Sequence, residues 1–87
     1  MLKDIVEVTA RPSYKLFVRF EDGVSGEIDL AAATSFVGVF APLRDETVFA
    51  SVAVNKELGT VQWPNGADLD PDVIYASLTG SSVQLVA

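Results

Sequence analysis

Hydrophobic and polar residues alternate in three stretches near the start of the chain, residues 2–10, 14–20 and 24–30. A period of two places alternate side chains on opposite faces of a β-strand. Because short polar segments separate the stretches, the pattern predicts three strands of an antiparallel meander with one apolar face. The residues assigned to that face are Leu2, Val6, Val8, Ala10, Tyr14, Leu16, Val18, Phe20, Val24, Gly26, Ile28 and Leu30.

The register of this meander follows from the requirement that core residues lie opposite core residues. A two-residue loop at Asp22 and Gly23 would set core residues opposite solvent-facing ones, so three-residue loops at 21–23 and 11–13 are favoured. We expect Gly23 to adopt a left-handed conformation. The predicted pairs are Leu16 with Ile28, Lys15 with Asp29, Ala10 with Tyr14, and Val8 with Leu16.

After residue 30 the strand period is lost. A cluster of Phe36, Phe40, Leu43 and Phe49 is interrupted by Gly38 and Pro42, which predicts irregular or single-turn helical structure that covers the sheet. Asp45 and Thr47 are candidate caps for a turn over residues 48–50. Alternation returns at residues 51–55 and 60–63, around a turn at 56–59, and predicts a second hairpin that brings the sheet to about five strands.

The segment after Trp63 predicts a tight turn followed by a short C-terminal helix. Pro64 ends the strand, and Asn65-Gly66 is a strong turn signal. Asp70 and Pro71 are typical of an N-cap and a first helical residue, and Gly80 is suited to the C-terminal stop. The expected fold class is therefore α+β, with a core at residues 1–80 of a single domain, 1–87.

This segment is also the candidate interaction or ligand loop, comprising Trp63, Asn65, Asp68, Asp70 and Tyr75. Its oxygen-rich side chains can bind a cation. A carboxyl group can also act as a general acid or base if burial shifts its pKa. They lack the ligand spacing of a calcium loop. The alternative is structural, because these residue types are favoured at turns and helix caps for backbone reasons alone.

The 87 residues include no histidine and no cysteine. The commonest general base, the thiol nucleophile and the usual zinc ligands are therefore missing, and no catalytic residue, metal or cofactor is expected. No disulfide framework is possible, which suits a reducing compartment. The N-terminus lacks the apolar segment of a signal peptide, so we expect a cytoplasmic protein.

Twelve acidic residues against six basic ones give a net charge of −6. This charge weighs against direct binding to nucleic acid or to an anionic membrane and suits a basic protein partner. One basic cluster would instead favour binding to nucleic acid: Arg11, Lys15 and Arg19 are expected on the outer face of the meander around Phe17. Phe17 is thus a candidate surface contact, to a protein or to stacked bases.

The tail at residues 81–87 is apolar and β-prone after two serines. It could add an edge strand, mark a subunit contact in a homo-oligomer, or fray.

Three stretches of the chain carry a family resemblance: Gly59-Thr60-Val61-x-Trp63-Pro64-Asn65-Gly66-Ala67-Asp68-Leu69-x-Pro71-Asp72-x-Ile74-Tyr75, Phe40-x-x-Leu43-x-Asp45-x-x-x-Phe49-x-x-Val52, and Leu16-x-Val18-x-Phe20-x-Asp22-Gly23. On these residues the chain resembles, through Gly80, the bacterial domain-of-unknown-function 2442 family. Ile74 stands where leucine is usual. The resemblance implies a small α+β domain without established activity, sometimes encoded beside a second small protein in a toxin–antitoxin-like arrangement. In some members the domain precedes a helix-turn-helix, for which this chain is too short.

Two functions are consistent with these observations. The first is a non-catalytic protein-interaction or regulatory module, such as the acidic partner of a basic small protein. The second is a small-ligand-binding protein or enzyme that uses Asn65, Asp68 and Asp70.

Overall fold

A computed structural model describes residues 3–33 and 36–80 of the chain. The elements in chain order are β1 (Ile5–Arg11), β2 (Lys15–Phe20), β3 (Ser25–Asp29), α1 (Leu30–Ala33), a 3-10 helix (Gly38–Arg44), α2 (Glu46–Phe49), β4 (Ala53–Asn55), β5 (Thr60–Gln62) and α3 (Pro71–Thr79). The α+β class, the antiparallel strands and the short C-terminal helix are confirmed. The predicted tail structure at 81–87 lies outside the described residues.

The prediction of one sheet of about five strands was wrong. The strands β1, β2 and β3 form a three-stranded antiparallel sheet, whereas β4 and β5 form a separate two-stranded sheet. The reason is that the chain folds back on β5: the Trp63 amide donates to the Ala67 carbonyl at 2.8 Å, and the Leu69 amide donates to the Val61 carbonyl at 3.3 Å. Because β5 is flanked on both sides, it cannot extend the larger sheet.

The two sheets meet where the β4–β5 turn reaches the start of β1. The Ile5 amide donates to the Gly59 carbonyl at 2.9 Å. Gly59 has a φ of +70°, and a Cβ there would overlap the Asp4 carboxyl group. The positive φ favours glycine at this junction, whereas the overlapping carboxyl group is the end of an exposed side chain that can move aside.

The predicted register between β2 and β3 is confirmed. Leu16 lies opposite Ile28, and Lys15 lies opposite Asp29 with their charged groups 3.5 Å apart. Gly23 has a φ of +93°, as the three-residue loop requires. The register was predictable because the alternation excludes a shift by one residue, which would bury charges, and because Gly23 fixes the position of the three-residue loop.

The predicted register between β1 and β2 was wrong by two residues. Val8 pairs with Val18 and Ala10 with Leu16, so the three-residue loop comprises residues 12–14 rather than 11–13. Tyr14 is a loop residue with a φ of +60°. A shift of two keeps the same side chains inside, which is why the alternation alone could not distinguish the registers.

Tyr14 is held in this unusual conformation by several contacts. Its hydroxyl donates to the Arg44 carbonyl, and its ring lies 5.0 Å from the Phe36 ring and 5.4 Å from the Phe49 ring, centroid to centroid. These contacts stabilise a backbone geometry that non-glycine residues rarely adopt.

The start of β1 contains a β-bulge between Ile5 and Glu7, where the pairing with β2 shifts by one residue. A bulge reverses the face on which the preceding side chains lie. Ile5 is therefore buried, with 1 % of its surface exposed, and Val6 is 46 % exposed. The prediction that Val6 faces the core was wrong, and Leu2 lies outside the described residues.

The middle segment covers the inner face of the sheet, as predicted. Phe36, Leu43 and Phe49 are buried in the core, and Phe40 packs against it. Asp45 caps α2 by accepting a hydrogen bond of 2.8 Å from the Thr47 amide. The core contains Ile5, Leu16, Val18, Phe20, Leu30, Phe36, Leu43, Phe49, Val61, Trp63, Ala67 and Ile74.

Candidate functional site

Trp63 anchors the candidate loop in the protein core. Its side chain is 1 % exposed, and its indole N–H donates a hydrogen bond of 2.9 Å to the Phe49 carbonyl. A buried tryptophan needs such a partner for its polar atom. The residue therefore fixes the loop to α2, while the loop residues that follow approach the surface.

Asn65 shapes the turn and ties it to the 3-10 helix. Its Oδ1 accepts from the Ala67 amide at 3.2 Å, and its Nδ2 donates to the Val39 carbonyl at 2.9 Å. Gly66 completes the turn with a φ of +93° and an amide that donates to the Trp63 carbonyl. Both polar ends of the Asn65 amide group are used in backbone hydrogen bonds, as the structural alternative predicts.

The two aspartates of the loop have different surroundings. Asp70 is the N-cap of α3, because its Oδ1 accepts a hydrogen bond of 2.9 Å from the Asp72 amide. Asp68 is exposed and forms an isolated backbone bridge with Gln62. In residues 3–33 and 36–80, no group of three or more histidine, cysteine, aspartate or glutamate side chains is placed to hold a metal ion. Use of this loop in catalysis or ligand binding stays a prediction.

A shallow groove of about 310 Å³ lies beside Trp63 and is lined largely by residues of the β4–β5 hairpin. Its lining residues are Ser51, Ala53, Val54, Asn55, Gln62, Trp63 and Pro64. Asn65, Asp68 and Asp70 do not contribute to it. Within the groove, Asn55 Nδ2 donates to Gln62 Oε1 at 2.9 Å, so these polar groups pair with each other.

Tyr75, the last residue of the candidate set, points away from the loop. Its hydroxyl donates a hydrogen bond of 2.5 Å to Asp22 Oδ2 in the β2–β3 turn, and its ring packs edge-on against Phe20 at 4.9 Å. The hydrogen bond from Tyr75 holds the pKa of Asp22 below its ordinary value, and the Val24 amide adds to the effect. The same bond raises the pKa of Tyr75, with burial as a further cause.

Sequence reasoning missed this pairing. The two residues are 53 positions apart, and no periodicity relates a turn aspartate to a helix tyrosine. The structure therefore places Trp63 and Asn65 in the turn at residues 63–67 and Asp70 at the start of α3, and it directs Tyr75 towards Asp22.

The outer face of the larger sheet carries the second candidate contact, Phe17, which is half-buried. The Arg11 guanidinium lies 4.9 Å from the centroid of its ring and 3.4 Å from Glu27. The other two basic residues expected on this face are also paired, since Arg19 contacts Glu7 at 2.8 Å and Lys15 contacts Asp29. The basic cluster is thus interleaved with carboxylates, which weakens its attraction for phosphate groups.

These features define a small α+β domain in which a three-stranded sheet, a short hairpin and a capped C-terminal helix enclose one core. The family model described as "Protein of unknown function (DUF2442)" matches residues 5–80. The chain belongs to this family. Comparison with curated proteins and with solved structures finds no significant match. None of the helices in the described parts of the chain has the length and apolar character to cross a membrane.

Proposed function

We propose that this protein is a non-catalytic, cytoplasmic interaction module that binds a basic partner protein. The observation that carries the proposal is the acidic excess of the chain together with its distribution. On the outer face of the sheet, Arg11, Lys15 and Arg19 are each engaged in an ion pair with an acidic residue. Over the whole sequence the acidic residues outnumber the basic ones by twelve to six.

Several acidic residues lie at the beginnings of helices, where they interact favourably with the helix dipole. The residues concerned are Asp45 and Glu46 at α2, and Asp70 and Asp72 at α3. An extended negative field attracts a positively charged protein and accelerates its association. A narrower form of the proposal, motivated by the family resemblance, is the acidic member of a toxin–antitoxin-like pair.

Binding rather than catalysis is supported by the composition and by the loop contacts. The chain has no histidine or cysteine. Asn65 and Asp70, two of the three polar residues proposed for an active site, hold the backbone of the turn and of α3. Residues that are committed to caps are poorly placed to exchange protons with a substrate.

Affinity capture of the tagged protein from cells of its source, followed by mass spectrometry, tests the proposal. We expect one basic protein to co-purify, and the purified pair to form a complex whose affinity falls as salt is raised. Isothermal titration calorimetry at two salt concentrations measures this. A chain that stays monomeric at low salt, without any captured protein that rebinds after purification, would contradict the proposal.

A further inference from the structure

The outer edge of β3 is open within the described part of the chain. β3 is the last strand of the order β1-β2-β3. The Phe20 amide donates to the Val24 carbonyl, and the Leu30 amide donates to the Tyr14 carbonyl. Because hydrogen-bonded pairs alternate in an antiparallel ladder, the backbone groups of Ser25 and Glu27 point outward, away from β2.

A groove of about 360 Å³ runs beside this edge, between β3 and α3. Its lining includes Ile28 of β3, Ala32 of α1, and Val73 and Ser77 of α3. Val73 is 65 % exposed, although it is a large apolar residue on the helix that packs against the sheet. The helix side of the groove is therefore mostly apolar and accessible.

The other side of the same edge is acidic. Glu27 and Asp29 line the groove and also belong to the outer face of the sheet. Arg11 contacts Glu27 at 3.4 Å and Lys15 contacts Asp29 at 3.5 Å, in exposed pairs that are weak. The other oxygen of Asp29 accepts a hydrogen bond of 3.2 Å from the Ala32 amide, so Glu27 is the more available of the two carboxylates. A strand added to this edge would thus meet apolar residues on one face and carboxylates on the other.

A second copy of the chain does not fit this edge well. Antiparallel pairing of two β3 strands about a twofold axis sets Glu27 opposite Glu27, or Glu27 opposite Asp29 when the register shifts by two toward the end of the strand. A shift of two in the other direction sets Ser25 opposite Glu27, but it sets Asp29 opposite Gly23 in the β2–β3 turn and so shortens the paired segment. Like charges directly opposite each other destabilise a sheet. The complementary occupant is a strand whose outward-facing residues are positively charged.

We propose that the β3 edge binds an extended segment of a partner protein in which apolar residues alternate with lysine or arginine. Such a segment adds a fourth strand to the sheet, with its apolar residues against Ile28 and Val73 and its basic residues beside Glu27 and Asp29. Backbone hydrogen bonds between β3 and the bound segment supply affinity, and the alternation of apolar and basic side chains in that segment supplies specificity. This inference rests on the proposed function and names the surface and the chemistry of the partner.

The direct test uses a synthetic heptapeptide, acetylated and amidated, of alternating lysine and valine. A matched control peptide has the same side chains but is N-methylated at alternate backbone amides, which prevents strand addition. We expect the first peptide to bind to the intact protein and to shift the amide resonances of residues 25–29 and 73–77. Equal binding of the N-methylated peptide, or shifts confined to other residues, would overturn the proposal.

Variants of the protein give a second readout by fluorescence anisotropy with the labelled peptide. Glu27→Lys should weaken binding about tenfold, because like charges are then juxtaposed, whereas the distant charge control Glu57→Lys should change it less than about twofold. Val73→Ser should weaken binding, and Leu58→Ser, which alters an exposed residue on the β4–β5 turn, should not. If Glu27→Lys and Glu57→Lys weaken binding equally, the peptide is attracted by the net charge of the protein and not by the β3 edge. That result would overturn the proposal.

Two further variants protect the test against misfolding. Glu27→Gln keeps the shape of the side chain. Ser25→Pro removes an outward-pointing amide at the first residue of the strand, where proline costs no internal hydrogen bond. Both should fold and should weaken the binding of a captured partner. If a partner binds and neither variant affects it, the edge site is wrong while the proposed function stands; if no partner binds at all, both fail.

Discussion

The Tyr75 hydroxyl donates a hydrogen bond of 2.5 Å to Asp22 Oδ2 and so joins the C-terminal helix to the β2–β3 turn. The contact spans 53 residues of sequence and ties α3 to the turn that precedes β3. Its strength can be measured through the two titrating groups. Each partner favours the protonation state in which Asp22 is charged and Tyr75 is neutral.

The first prediction concerns these pKa values. Tyr75→Phe should raise the pKa of Asp22 toward its ordinary value of 3.8, because the largest cause of its lowering is then absent. Asp22→Asn should lower the pKa of Tyr75 toward its ordinary value of 10.0. Carboxyl carbon NMR shifts and tyrosinate absorbance follow the two titrations. Unchanged pKa values in both variants would show that the pair does not form in solution.

The direction of the pH dependence follows from these shifts. Asp22 has a lowered pKa in the folded state, so its contribution to stability is present above 3.8 and is lost as the pH falls through the folded value. Tyr75 has a raised pKa, so its contribution is present below 10.0 and is lost as the pH rises through the folded value. The wild type should therefore lose more stability than Tyr75→Phe at both extremes of pH.

The second prediction separates the two loop aspartates. Asp70→Ala should lower the free energy of unfolding by about 1 kcal/mol, because the Asp72 amide loses its cap acceptor. The neighbouring control Asp68→Ala should change it by less than about 0.5 kcal/mol, since the side chain is exposed. Urea denaturation followed by circular dichroism provides both values. A larger loss for Asp68→Ala would contradict the assignment of the cap.

The third prediction concerns the buried tryptophan. Trp63→Phe should lower the free energy of unfolding by about 2–4 kcal/mol, because it leaves a void and removes the indole donor from the Phe49 carbonyl, which keeps only the longer hydrogen bond of 3.4 Å from the Val52 amide. Circular dichroism is again the suitable probe, because the substitution removes the single tryptophan and with it the tryptophan fluorescence that would otherwise report unfolding. A loss below about 1 kcal/mol would mean that neither the packing nor the hydrogen bond is important.

The fourth prediction tests how closely α3 packs on β3. A Cβ at Gly26 would lie 2.7 Å from Leu78 Cδ2. Gly26→Val should therefore cost about 1–3 kcal/mol of stability through overpacking. In a double-mutant cycle, Leu78→Ala should relieve the overlap and give a coupling of about 0.5 kcal/mol or more. Additive effects would place Leu78 away from Gly26.

Local chemistry made part of this fold predictable. The caps Asp45 and Asp70 and the left-handed Gly23 each follow from residue types whose backbone preferences are strong. The β2–β3 register follows from the contrast between the two faces of those strands together with the loop position that Gly23 sets. These features depend on neighbours in the sequence.

The features that the sequence did not predict depend on distant contacts. The loop at Tyr14 is set by its hydrogen bond to Arg44 and by its packing on Phe36, and the bulge after Ile5 has no local signal. The separation of β4 and β5 from the larger sheet depends on the return of residues 67–69 to β5. In the candidate loop, the turn and cap roles were predicted, whereas the direction of Tyr75 was not.

The central claim is that the residues after Trp63 build the turn and the helix cap, and that the protein acts by binding a partner elsewhere on its surface. The double variant Asp68→Asn, Asp70→Ser tests it most directly, because serine is also a good N-cap and both carboxylates are removed. We predict that its melting temperature stays within about 2 °C of the wild-type value and that it binds the captured partner with unchanged affinity. Normal stability combined with loss of partner binding would contradict the claim and assign the function to the loop carboxylates.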